Sequence, residues 1–151
     1  MSKINSRFKG KLVPPVILLL CALFIIAVKK FTITTPIYPE YGNALVLLGI
    51  ITMVTAALQF RRAQTPLVPG TTASQIVDSG IFNLSRNPMY LGMLFMLLGG
   101  SWMSGSLLST LAPLYFVAHI EKNFIENEEE FLEELFGDTY KAYKKRVRRW
   151  I

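Results

Sequence analysis

Between Gly42 and Phe60 the chain runs without a charged residue, and Arg61-Arg62 close the run. That is the length a helix needs to cross the hydrocarbon core of a bilayer. In lipid, backbone N–H and C=O groups must be satisfied within the segment, so such a run takes the form of an α-helix. Three further apolar runs accompany it: Val13–Val28, Pro88–Met103 and Ser106–Ile120. With 52% hydrophobic residues in only 151, a soluble domain of this size has too little interior to hide its apolar surface. The expected fold is one all-α, integral-membrane domain over residues 1–151. It has about four transmembrane helices, near 13–28, 42–60, 88–103 and 106–120, plus a C-terminal cytosolic amphipathic helix.

The net charge of +6 could point to nucleic acid, but its placement argues otherwise. Basic residues cluster at Lys3–Lys11, Arg61-Arg62 and Lys141–Arg149, each flanking an apolar run. This is the positive-inside pattern, which puts both termini in the cytoplasm and Lys29-Lys30 outside. Membrane lipids are the expected partners and nucleic acid is not. Pro14 and Pro15 sit in the first turn of the first run, where proline is tolerated. No small-residue cleavage site follows that run, which reads as a retained helix and not as a signal peptide. One cysteine, Cys21, and one histidine, His119, leave no disulfide and no histidine or cysteine metal cluster within the chain. Cys21 reads as a small buried hydrophobe and His119 as a satisfied polar residue. Phe31–Tyr41 reads as a loop outside the bilayer. Ala63–Leu84, with Pro66, Pro69 and Gly70, reads as a loop with a turn of interfacial helix at Ala73–Val77.

Two stretches carry chemistry. In Ser85-Arg86-Asn87-Pro88-Met89-Tyr90-Leu91-Gly92, Asn87 is a preferred N-cap and Pro88 suits the first helical position. The positive end of the helix would then face water beside Arg86, a place for an anion. The plainer reading is a well-capped membrane helix with a snorkelling arginine. The second stretch is Glu121–Phe136. At 100° per residue, Phe124, Phe131, Leu132 and Leu135 share one face, Glu128 sits in its middle and Glu121 lies close by. Glu126, Glu129, Glu130, Glu133 and Glu134 fall on the edges or the solvated side. A carboxylate on an apolar face at a membrane boundary is costly without a partner. For Glu128 that partner is either a protein base such as Arg86 or Arg146, or a cationic ligand.

The first stretch resembles the Arg-His-Pro-x-Tyr-x-Gly signature of the isoprenylcysteine carboxyl methyltransferase family, with Asn87 in place of the histidine. That family belongs to a wider group of membrane methyltransferases that includes the phospholipid N-methyltransferases. Glu128-Glu129-x-x-Leu132, followed by Phe136-Gly137-x-x-Tyr140-x-x-Tyr143, resembles the family's second signature, and Lys144-Lys145-Arg146-Val147 continues it. Ile76-Val77-Asp78-Ser79-Gly80 is similar to its Leu-Val-x-x-Gly element. The resemblance covers roughly residues 67–150.

It implies an S-adenosylmethionine site at the cytosolic end of the last spans, with S-adenosylhomocysteine as product. Arg86, Asn87, Pro88, Tyr90 and Gly92 would form one wall, and Glu128, Glu129 and Leu132 the other. Arg146 would orient an acceptor carboxylate, Glu128 would stand with it at the reacting centre, and Tyr140 and Tyr143 would line the acceptor side. Tyr90 has a duller alternative as an interfacial anchor, and Gly92 as a helix-packing residue. For Arg148 and Arg149, attraction to anionic headgroups is the preferred reading. The implied acceptor is a lipophilic carboxylate, thiol or lipid amine. With fewer spans than its relatives the chain has less wall to guide a prenyl tail, so the acceptor need not be a prenylated cysteine, and the short basic start and compact loops suit a bacterial inner-membrane protein. Two other readings compete: a sterol-reductase-like enzyme using NADPH, and a non-catalytic membrane partner protein.

Overall fold

Three prolines set where the long helices begin. The computed structural model describes residues 13–31, 38–64 and 76–151. Within it α1 spans Pro14–Phe31, α2 Pro39–Arg62 and α3 Pro88–Ser104, each opening on a proline whose missing N–H would have no helical partner anyway. A 3₁₀ turn at Gly80–Asn83 precedes α3, and another at Leu107–Thr110 leads into α4, Leu111–Ile120. A wide π turn, Glu121–Ile125, then joins α4 to α5, Glu126–Phe136. Gly137 breaks the rod with φ 54°, a left-handed backbone that favours glycine, and α6 follows at Asp138–Arg146. Every regular element among the described residues is helical.

The expected runs map onto these helices with two changes. The second begins at Pro39, inside what reads as an outer loop in the sequence, because proline suits a first helical position. The C-terminal amphipathic helix is in fact a π turn and two helices, α5 and α6, parted at Gly137. The basic cluster Lys3–Lys11, the centre of the Phe31–Tyr41 loop and most of Ala73–Val77 lie outside the described residues.

Helices α2 and α3 are held together through glycine. Gly42 and Gly49 face Gly99 and Gly92, so the backbones themselves meet. A Cβ on Gly49 would lie 2.5 Å from the Gly92 carbonyl, and one on Gly99 would lie 2.5 Å from the Gly42 carbonyl. Thr52 and Ala56 continue the small-residue stripe on α2. Helix α1 lays Ile17, Cys21 and Ile25 against Met93 and Leu97 of α3 and Phe116 and Ile120 of α4, forming the main core. The α3–α4 hairpin is closed by buried hydroxyls. Ser104 Oγ donates to Ser109 Oγ at 2.7 Å, Ser109 Oγ contacts the Ser106 carbonyl at 2.6 Å, and Ser101 Oγ donates to the Ser109 carbonyl at 2.9 Å.

Outside this core the surface is apolar. Leu19, Leu20, Leu23 and Ile26 on α1, and Leu47, Ile51 and Val54 on α2, are all more than half exposed. Such a belt far exceeds what water tolerates on a monomer and suits lipid chains. Among the described residues, Pro39–Arg62 has the length and the mean hydropathy, 1.9, of a membrane crossing.

The glycine contacts set a clear test. Gly49→Ala forces the α2 and α3 backbones apart and is expected to cost about 1–3 kcal/mol, read as a lower unfolding midpoint in detergent. Gly100→Ala, whose Cβ would meet only Ile25 Cδ1 at 3.8 Å, serves as the neutral reference. Equal midpoints for the two variants would show that close approach does not hold the pair.

Candidate functional site

The two chemical stretches come together where α3 begins and α5 passes over it. Tyr90, in the first turn of α3, is buried, and its hydroxyl donates to Glu128 Oε1 at 2.7 Å. Tyr90 is therefore not an interfacial anchor. Glu128 is part-buried on α5, and among the described residues no lysine or arginine is ion-paired with it. Burial pushes its carboxyl up to about 7. The Tyr90 hydrogen bond pulls the other way, and the charge of Glu129 adds to the rise.

Both protein bases expected for Glu128 are engaged elsewhere. Arg86 lies 3.2 Å from Glu129, with its side chain 9% exposed. Arg146 pairs with Asp78 at 2.8 Å on the surface, both side chains more than half exposed, and its guanidinium lies 6.0 Å from the Tyr143 ring centroid. Glu129, by contrast, is the buried carboxylate of this helix, against the expectation of a solvated edge. Arg149 grips it with two parallel hydrogen bonds, Nε to Oε1 and Nη2 to Oε2, each 3.0 Å. Lys144 stands 3.6 Å from it and hydrogen-bonds Glu133 at 2.5 Å.

The physical reason for the exchange is the π turn. Glu121 and Glu128 are seven residues apart, so a regular α-helix would place them within about 20° of each other. A wide turn absorbs one extra residue, which hands that position to Glu129. Arg149 accordingly reaches Glu121 and Glu129 together. The same slip carries Leu135 off the apolar face, where it is 46% exposed.

The other candidates divide. Pro88 is buried as the first residue of α3, and Gly92 is used against Gly49 in helix packing. Asn87 does not cap α3 with its side chain. Its Nδ2 instead donates to the Arg149 carbonyl at 3.0 Å. Tyr140 and Tyr143 are buried with Val147 in a second small core, against which Ile76, Leu132 and Phe136 pack. Tyr143 donates to the Phe82 carbonyl at 2.7 Å, and burial pushes its phenol up to about 12. Burial also raises Tyr140, beside the charge of Glu129. These two rings, with Leu132 packed against them, brace α6. His119 is satisfied: Nδ1 meets the Tyr115 hydroxyl at 3.2 Å, and its carbonyl accepts from Asn123.

The residue that sequence reasoning missed is Arg149, a base in a run that reads as headgroup-binding. Its only sequence signal was its distance from an acidic pair, which is not visible without the turn between them. Hydrogen bonds to Glu129 and Glu121 raise its pKa and hold it protonated. What remains is one carboxylate with a neutral donor and no base, beside another saturated with bases. The first suits a ligand that brings its own positive charge or hydroxyl donors.

The chain is 28% identical to protein-S-isoprenylcysteine O-methyltransferase B of Arabidopsis thaliana over 110 residues, covering 72% of this chain and 56% of that protein. It is 33% identical to the protein-S-isoprenylcysteine O-methyltransferase of Schizosaccharomyces pombe over 72 residues, 48% of this chain and 30% of that one. An uncharacterized protein of Haemophilus influenzae is 41% identical over 63 residues, 42% of this chain and 100% of its own. The chain thus spans about half, or less, of the length of the named methyltransferases it matches. No solved structure matches. The phospholipid methyltransferase family matches residues 38–139, from the start of α2 into α6, taking in both Tyr90 and Glu128. Matched over more than half of its length, the chain belongs to the phospholipid methyltransferase family.

Proposed function

We propose that the chain is a membrane methyltransferase that uses S-adenosylmethionine, and that Glu128 is its cofactor-binding carboxylate. The observation that carries this reading is the contrast between neighbours. Glu128 is held by the neutral Tyr90 hydroxyl at 2.7 Å, while the bases around it are committed to Glu129. A part-buried carboxylate without a base is a poor structural group and a good receptor for an ammonium or for ribose hydroxyls. When bound, S-adenosylmethionine supplies a sulfonium methyl group to a nucleophile.

The residues around the site then have separable roles. Glu128 binds and Tyr90 orients it. Pro88 fixes the start of α3, on which Tyr90 is carried, and Asn87 ties that start to the Arg149 carbonyl. The acceptor is a lipophilic carboxylate, thiol or lipid amine at the cytosolic face, lipidated as in the isoprenylcysteine methyltransferases the chain is similar to. A carboxylate or thiolate needs no general base, only alignment. Arg146 meets the acceptor by exchanging Asp78 for it. The spans are α1, α2, α3 and the 3₁₀ turn with α4, in a bacterial inner membrane with both termini cytoplasmic. Arg61-Arg62 and the bases around α6 then lie on one side, and Lys29-Lys30 on the other.

Calorimetry of S-adenosylhomocysteine on the detergent-purified protein tests this directly. Glu128→Ala is expected to weaken binding roughly 10–100-fold, the range of a hydrogen bond to a charged group. A well-folded wild-type protein that does not bind sinks the cofactor reading.

Acidity gives a second test. Donors prefer the ionised carboxylate, and Glu128 in the free protein ionises only as pH rises through about 7. Affinity should therefore be roughly tenfold weaker at pH 6 than at pH 8 and level off above that. Glu128→Gln should flatten the profile. Tyr90→Phe should move its midpoint upward, since the hydrogen bond from Tyr90 favours the ionised form. A midpoint that ignores both substitutions assigns the titration to another group.

A further inference from the structure

The segment after α6 is stitched to the start of α3 at three points. The Arg86 N–H donates to the Arg148 carbonyl at 3.0 Å. Ser85 Oγ and Asn87 Nδ2 both donate to the Arg149 carbonyl, at 3.2 and 3.0 Å. Val147 is buried in the second core, and Trp150 packs against the first. The backbone of Arg149 is thus fixed before its side chain makes any contact.

The side chain then spans the π turn. Its guanidinium holds Glu121, at the start of the turn, and Glu129, beyond it. In a regular α-helix these two carboxylates would lie about 80° apart, and the wide turn swings them onto one face. A single planar fork bridging both fixes the rotation of α5 relative to α4. Glu128 is the next residue back from Glu129, so the same clamp sets its direction toward Tyr90.

We propose that Arg149 is a positioning residue for the Glu128–Tyr90 site: anchored by Ser85 and Asn87, it locks the π turn and neutralises Glu129, leaving Glu128 aimed and free for a cationic ligand. The inference rests on the cofactor reading above for its binding consequence, though not for the clamp itself. It also gives Asn87 its work, which is to hold the clamp. The groups facing Glu128 are Tyr90 from α3 and Glu129 on its own helix. Arg86, Lys144 and Arg149 offset the charge of Glu129. Removing Arg149 leaves that neighbouring charge less balanced and makes Glu128 harder to ionise. Lysine keeps the charge but loses the fork, so it restores little of the geometry.

The test compares wild type, Arg149→Met, Arg149→Lys and, as a charge reference, Lys145→Ala, whose side chain is exposed. All are purified in neutral detergent. S-Adenosylhomocysteine affinity and its pH profile are measured. A nitroxide on Ile151→Cys, in a Cys21→Ala background, reports how firmly the segment is held. Arg149→Met should bind about tenfold more weakly, with the midpoint of the pH profile moved upward and the nitroxide mobile. Arg149→Lys should recover only part of each, and Lys145→Ala should stay within twofold of wild type. If Arg149→Met does not fold, the same comparison is made on Arg149→Lys. A folded variant with wild-type affinity, midpoint and nitroxide spectrum overturns the proposal. So does a loss that appears only with anionic lipid present, because that assigns Arg149 to headgroups. A wild type that binds nothing rejects the cofactor reading instead. The clamp is then judged by the nitroxide alone, upheld if it is immobile in wild type and mobile in Arg149→Lys, and overturned if the two spectra agree.

Discussion

Burying the Glu129 carboxylate is the constraint around which the water-side half of the molecule is arranged. An unpaired charge in that position costs several kcal/mol, so it can exist only where bases converge on it. They come from three separate places: Arg86 ahead of α3, Lys144 on α6, and Arg149 beyond it. A buried ion pair of this kind adds little net stability over an apolar substitute, but it permits few alternative arrangements. Here it specifies how α5 lies on α3 and where the segment after α6 docks.

The apolar half solves a different problem with different means. Between apolar helices in lipid there is no water to expel, so close backbone approach and internal hydrogen bonds must hold the helices together. The Gly42–Gly99 and Gly49–Gly92 contacts provide the first, and the Ser101–Ser109 network the second, at the far end of the hairpin. The two halves meet within one turn of α3. Gly92 is pinned to α2 two residues after Tyr90, so the direction of the Tyr90 hydroxyl is fixed from below by packing and from above by Glu128.

What could be read from the sequence follows this division. The start of α3 was legible because Pro88 announces it, whereas Pro39 reads in the sequence as part of a loop. The meeting of the Tyr90 and Glu128 stretches was legible because two linked motifs flank one hairpin. The close packing by Gly92 was legible because small residues have few other uses in an apolar helix. The face of α5 was not. A helical wheel assumes 100° at every residue, and nothing in Glu121–Ile125 marks the turn that breaks the rule. One extra residue exchanged the surroundings of Glu128 and Glu129, and with them the partners of Arg86 and Arg149. Asn87 misled for a related reason. Its side chain is chemically fit to cap α3, but the Arg149 carbonyl offers it a tertiary partner that local sequence does not contain.

Two consecutive glutamates thus have opposite fates by virtue of their neighbours. Glu129 meets three bases and becomes part of the frame. Glu128 meets a phenol and keeps its capacity for charge in reserve. The frame does more for Glu128 than hold it. Were Glu129 unpaired, two adjacent negative charges would compete, and the more buried would take up a proton first. With Glu129 held by three bases, the ionisation of Glu128 is governed mainly by its own burial. What leaves Glu128 without a cation of its own is how completely its neighbour has been satisfied.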